Sequence, residues 1–235
     1  ARLISPAGYA FSIWGLIFSL LGLFVVYQAL PDTWVNNRNN DLIFNYMSWA
    51  WLINMATQVV WAPFFRSETG WGYVISAMAI LLMLASSLTM MVMSTRMEVN
   101  GWEWTFIRGG FSVYSGWLTA ATILNITAML SYFGFEGFDW YSEEAITITI
   151  LYVAGLIYNL ASYIEFNPLY GAVFIWVVVA IRYDVITERP QYEDLQANLE
   201  YLGIFQAISM TALTSFLATI RFFEIDSFVN RGIFY

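Results

Sequence analysis

Along the whole chain, apolar residues fall in runs about as long as a bilayer is thick, separated by short polar stretches. A run of roughly twenty uncharged residues is what one membrane-crossing α-helix requires. The first run covers 8–30, with Pro6 just before it and Pro31 just after it, positions where proline opens and ends a helix. Further runs cover 46–65, 71–94, 112–130, 145–164, 169–181 and 201–223. The run at 169–181 is short for a crossing; it spans only if Arg182 snorkels and the helix continues to about Ile186. The pattern predicts an all-α polytopic membrane protein with seven spans, or six if the 169–181 run is re-entrant. No internal repeat and no soluble domain is visible.

The run at 112–130 organises the rest. Trp117, Ala121 and Asn125 sit four residues apart and stack on one helix face. Gly116 and Ala120 form a small-xxx-small pair beside them, as do Gly15 and Ser19 on the first span; such pairs let membrane helices approach closely. Five amides lie inside the spans: Asn54, Gln58, Asn125, Asn159 and Gln206. Each suits helix–helix bonding, because an amide in hydrocarbon must find a partner, and each also suits the polar edge of a lipid-soluble ligand. No acidic residue falls at mid-depth, which disfavours an ion or proton path. Glu165, at the end of the fifth span, is placed to pair with an arginine.

Composition removes whole classes of chemistry. The chain has no Cys, no His and no Lys; all nine basic residues are Arg. Cysteine nucleophiles, disulfides, the commonest haem and metal ligands and a lysine Schiff base are therefore excluded. The net charge of −8 argues against nucleic acid and against a polybasic membrane patch. Residues 2–7 are too short and polar for a signal peptide. Of the eleven Trp residues, Trp34, Trp71, Trp102, Trp104 and Trp140 fall where interfacial belts fall. Trp14, Trp61, Trp117 and Trp176 lie in or near the apolar runs, where they either pack or stack on a flat ligand. The loop 134–144, with Phe135, Phe138, Trp140 and Tyr141, is acidic and aromatic. Arginines divide almost evenly between the two sides, so orientation is not set by charge.

Three stretches, in order, resemble one family. Pro6-Ala-Gly8-Tyr-Ala-Phe11-Ser-Ile-Trp14 is similar to a helix entry of the tryptophan-rich sensory protein family, also called the translocator protein or TspO family. Trp61-Ala-Pro63-Phe64-Phe65 resembles its Trp-x-Pro-x-Phe-Phe helix exit, and Trp117-Leu-Thr-Ala-Ala121-Thr-Ile-Leu-Asn125 its Trp-x-x-x-Ala-x-x-Leu-Asn helix. The resemblance covers roughly 5–163. It implies a TspO-like five-helix bundle over 1–165, with about two additional transmembrane helices over 166–235.

The resemblance further implies a non-enzymatic protein, often a homodimer, with a pocket for a porphyrin or sterol. Carried over residue by residue, Trp14, Trp61, Trp117, Ala121 and Asn125 are the expected ligand-binding positions, with no catalytic or metal site and no covalent cofactor. The alternative is a structural accessory subunit of a larger membrane complex, packed through the small-residue stripes and the aromatic loop and holding phospholipid. A transporter is disfavoured because no inverted repeat is visible, and an enzyme because no paired carboxylates face each other inside the membrane. Membrane lipids are partners under either reading. The membrane itself, organellar such as mitochondrial or bacterial plasma membrane, stays open.

Overall fold

A computed structural model describes residues 5–35, 37–67, 69–134 and 142–222. The aromatic residues Phe135, Phe138, Trp140 and Tyr141 and the predicted end of the last span at Phe223 lie outside the described residues. Every regular element among the described residues is helical.

A 3-10 turn, Gly8–Ser12, leads into α1, Ile13–Ala29. A π-helical turn, Asp41–Tyr46, precedes α2, Ser48–Arg66, and α3 is Gly70–Arg96. A single turn, α4, Gly101–Glu103, continues through a π-helical turn, Trp104–Arg108, into α5, Gly109–Tyr132. The chain ends with α6, Glu143–Ile164, α7, Pro168–Glu188, and α8, Glu193–Phe222.

Six of these helical segments are long and apolar enough to cross a membrane. The long helix left out is α2, whose apolar content is diluted by Asn54, Thr57, Gln58 and Arg66. The 169–181 run, expected to be the short one, forms the unbroken helix α7. Arg182 lies inside it, its guanidinium meeting Glu200 of α8 at 2.6 Å, and the helix passes Ile186 as a full crossing requires.

Helix starts follow local side-chain chemistry. The hydroxyls of Thr69 and Ser142 accept from Gly72 N and Ala145 N at 3.1 Å each, and Asn167 caps α7 just before Pro168. Asn100 and Glu103 form a reciprocal capping box at α4.

The core is built on α5, which packs against α1, α3 and α7, while α2 leans mainly on α3, and α6 and α8 pack on α7 and on each other. Small residues make α5 central. A Cβ on Gly116 would stand 2.9 Å from the Tyr170 carbonyl oxygen and from Val173, so α5 and α7 touch backbone to backbone as the Gly116–Ala120 pair predicts. The Gly15–Ser19 pair behaves differently. Nothing lies within 4 Å of a Cβ at Gly15, so this stripe faces outward. The buried residues of α1 are instead Ile13, Ile17, Leu21, Phe24 and Tyr27, a helical face turned to α5.

One end of the bundle is closed by a buried carboxylate. Glu103 accepts from Asn39 N at 2.7 Å, Asn100 N at 2.9 Å and Tyr27 OH at 3.2 Å. Nearby, Arg108 donates to the Ser94 and Met97 carbonyls at 2.8 and 2.9 Å, capping the C-terminus of α3. Arg38 does the same for α1 through Tyr27 O and Leu30 O, and pairs with Asp32. The unsatisfied carbonyls at a helix end carry partial negative charge, so a guanidinium is a favourable partner. Glu165 pairs with Arg96 at 2.7 Å, as its position in the sequence predicts. Trp34, Trp71 and Trp102 are exposed near helix ends, where an interfacial belt places them.

Candidate functional site

The predicted site residues divide into a face and its two flanks. Trp117, Ala121 and Asn125 are all buried on α5 and span eight residues, about 12 Å of helix. At one end of that face α1 brings the ring of Trp14 edge-on to Trp117, with centroids 6.4 Å apart, and Phe11 meets Trp117 at 5.7 Å. Trp14 in turn stacks on Phe18 at 5.1 Å. At the other end α2 brings Trp61, whose indole N–H donates to Asn125 Oδ1 at 3.1 Å. Asn125 Nδ2 donates back to Ala121 O at 2.8 Å, which fixes the amide's orientation. All five residues therefore belong to one connected aromatic and amide surface between α1, α2 and α5.

The helices α1 and α2 meet through Phe24 and Trp51, with ring centroids 5.2 Å apart. Towards the opposite end α1 turns to α7: Trp176 Nε1 donates to Ala10 O and Ala7 N donates to Ala180 O, each at 3.1 Å. α2 stays on α3 and reaches α5 through the Trp61–Asn125 and Asn54–Tyr114 bonds. Phe11, against Trp117, and Phe18, against Trp14, are each about half exposed.

A family model described as TSPO-like protein matches residues 1–220 of this chain. The chain belongs to the TSPO-like family. The match runs through all seven long helices, to within two residues of the end of α8. No curated protein and no solved structure shows a significant match. With the apolar helices, the family places this TSPO-like chain in a membrane as an integral multi-pass protein.

Within the TSPO-like chain the remaining polar groups sort by role. Trp117 is fully buried, yet its Nε1 has no hydrogen-bond partner. Trp176, the fourth apolar-run tryptophan, is structural, because its N–H anchors the turn before α1. Asn54 is helix–helix glue: it donates to Met83 O and Ser86 Oγ at 2.9 Å and accepts from Tyr114 OH at 2.8 Å. Asn159 and Gln206 pair with each other between α6 and α8. Gln58 is half-buried on α2.

Two voids lie away from the predicted face. A water-sized apolar slot of about 20 Å³ sits among α5, α6 and α7, beside Ala120 and Phe174. A groove of about 600 Å³ runs between α6 and α8. Sequence reasoning did not find that groove, because its residues belong to two spans whose pairing no local pattern reveals. Among the described residues no cluster of three metal-ligating side chains occurs.

Proposed function

We propose that this protein binds a flat hydrophobic ligand, of porphyrin or sterol type, on the Trp14–Trp117–Ala121–Asn125–Trp61 face, without catalysing a reaction on it. The observation that carries this reading is the indole N–H of Trp117, buried and unpaired among aromatic rings. Leaving such a donor unsatisfied costs about 1–3 kcal/mol, which a ligand oxygen in the same place recovers. The edge-on rings of Phe11 and Trp14 supply faces for a planar ligand, and such ring pairs are worth about 0.5–1.5 kcal/mol beyond area burial. Entry displaces Phe11 and Phe18, the exposed outer layer, while the Trp61–Asn125 bond holds the far end. With no His or Cys in the chain, the ligand is held by ring faces and hydrogen bonds rather than by ligation of a central metal.

Titration of protoporphyrin IX into the detergent-solubilised full chain, followed by Trp fluorescence, tests this. Trp117→Leu with Asn125→Leu is expected to abolish binding and leave the helical circular dichroism in place. Unchanged affinity in the double variant would sink the reading.

A second reading, a structural subunit of a larger membrane assembly, is favoured by α8. Beyond Leu213 none of its side chains through Arg221 is buried, although Phe216, Leu217 and Ile220 are apolar. Mass analysis after gentle extraction decides between the two. A particle far above 27.0 kDa or its dimer, holding only phospholipid, would assign the subunit role.

A further inference from the structure

Four of the five amides inside the spans are bonded within the protein. Asn54 bonds α3 and α5, Asn125 bonds Trp61 and Ala121 O, and Asn159 and Gln206 bond each other. Gln58 is the exception, for among the described residues none bonds its side-chain amide. It lies half-buried near the middle of α2, at a depth where hydrocarbon offers an amide no partner. Two N–H donors and a carbonyl oxygen therefore stand open there.

The bonds on either side of Gln58 fix its height. Asn54 meets Tyr114 and Trp61 meets Asn125, so α2 and α5 run in the same direction. Gln58 follows Asn54 by four residues and precedes Trp61 by three, which sets it level with 118–122 of α5, just past Trp117. On α1 the ring of Trp14 packs against both Tyr114 and Trp117, at nearly the same height. Trp51, Asn54, Gln58 and Trp61 share one face of α2. Within that face Gln58 lies on the side of Trp51, whose ring meets Phe24 of α1 and Phe111 of α5. Gln58 therefore faces the seam between α1 and α5, where the buried Trp117 Nε1 is also unpaired.

From these placements we infer that Gln58 determines the specificity of the Trp117–Asn125 face, and that the ligand meets it with a neutral carboxamide or lactam edge. The inference rests on the proposed reading of that face as a ligand site. A carboxamide or lactam carries a donor and an acceptor side by side. It donates to Gln58 Oε1 while its carbonyl accepts from Gln58 Nε2. A ketone, ether or ester only accepts, and leaves Oε1 without a donor. An ionised carboxylate has the same defect and adds a charge that nothing answers. α1 and α5 carry no charged residue, and α2 none before Arg66, so an anion buried between them bears its desolvation cost unaided. The Trp117 N–H, a donor alone, takes a further acceptor on the same edge of the ligand.

The test compares two neutral porphyrins on the detergent-solubilised full chain by Trp fluorescence. One is the bis-carboxamide of protoporphyrin IX. The other is its dimethyl ester, which keeps the ring and the carbonyls but lacks the N–H donors. The parent protein should bind the bis-carboxamide roughly tenfold more tightly than the ester. Gln58→Leu should close that gap by weakening the carboxamide alone. Gln58→Met, closer in shape to glutamine, makes the same comparison if the leucine variant does not elute as the parent does. Asn159→Leu removes an amide bonded elsewhere and should leave the gap unchanged. Equal affinities in the parent, or a carboxamide preference that survives in folded Gln58→Leu or Gln58→Met, would overturn the inference while leaving the face a ligand site. A gap closed equally by Asn159→Leu would do the same. Binding of neither porphyrin would overturn both the inference and the reading on which it rests.

Discussion

Tyr114 of α5 donates its phenol to the amide oxygen of Asn54 on α2 at 2.8 Å, and both side chains are fully buried. The Asn54 amide hydrogens go to α3, at Met83 O and Ser86 Oγ. One side chain thus bonds three helices. This explains how α2, the long helix whose apolar stretch falls short of a membrane crossing, is held in the bundle. Buried interhelical hydrogen bonds in membranes average about 0.6 kcal/mol and reach about 1.7.

Tyr114→Phe is expected to cost about 0.6 kcal/mol, and Asn54→Leu more, because it also strands the donors and acceptors on α3 and α5. A double-mutant cycle by thermal unfolding in detergent should give a positive coupling between the two. Additive losses would show that the bond contributes nothing to stability.

The Trp61–Asn125 bond makes a separate prediction about local opening. Trp61→Phe keeps the stacking partner of Phe65, at 5.3 Å, but removes the donor to Asn125. The second half of α2 then loses its link to α5 while the Asn54 anchor remains. Hydrogen exchange should rise over 58–66 and stay unchanged over 48–56. A uniform rise along α2 would show that the helix moves as one piece.

How far these relationships were legible depends on whether their cause is local. Span positions and the Gly116–Ala120 approach follow from residues within a few turns of each other, so apolar run length and small-residue spacing reveal them; the pairing of Glu165, whose Arg96 partner is 69 residues away, is legible only as the need of a span-end carboxylate for some arginine. The five expected site residues come together because the Trp117–Ala121–Asn125 face is one helix surface, and motif order supplies Trp14 and Trp61. The 169–181 run meets the condition set for a full crossing, because α7 continues past Ile186 to Glu188 with Arg182 inside it. Glu103 was missed because the groups that bury it are distant in the chain. In the sequence it is a loop carboxylate, and its burial depends on Asn39 and Tyr27, more than sixty residues away.

Glu103 is therefore the residue to test at the closed end of the bundle. Its two oxygens accept from two backbone N–H groups and one phenol. Glu103→Gln is nearly isosteric but replaces one acceptor oxygen with an NH₂ that must face a donor. A cost of about 1–3 kcal/mol is expected, concentrated in the segment that Asn39 ties down. Limited proteolysis should cut within 32–41 in the variant and not in the parent. Equal resistance would show that Arg38 alone, through Asp32 and the α1 carbonyls, holds this segment.

The two glycine stripes give opposite outcomes for the same substitution. At Gly116 a new Cβ meets the backbone oxygen of Tyr170 and the Cβ of Val173 at 2.9 Å, and neither is the free end of a flexible side chain. The Gly116 carbonyl also accepts from the fully buried Tyr158 hydroxyl, so separating α5 from α7 disturbs α6 as well. Gly116→Ala is expected to destabilise by about 1–3 kcal/mol through overpacking. Gly15→Ala meets nothing within 4 Å, so the higher helix propensity of alanine should leave it neutral or stabilise it by up to about 1 kcal/mol. Thermal melts of both variants in the same detergent check the pair. A destabilised Gly15→Ala would mean that a partner, a second copy or another subunit, lies against this outward stripe. Its loss of stability should then come with a change in particle mass.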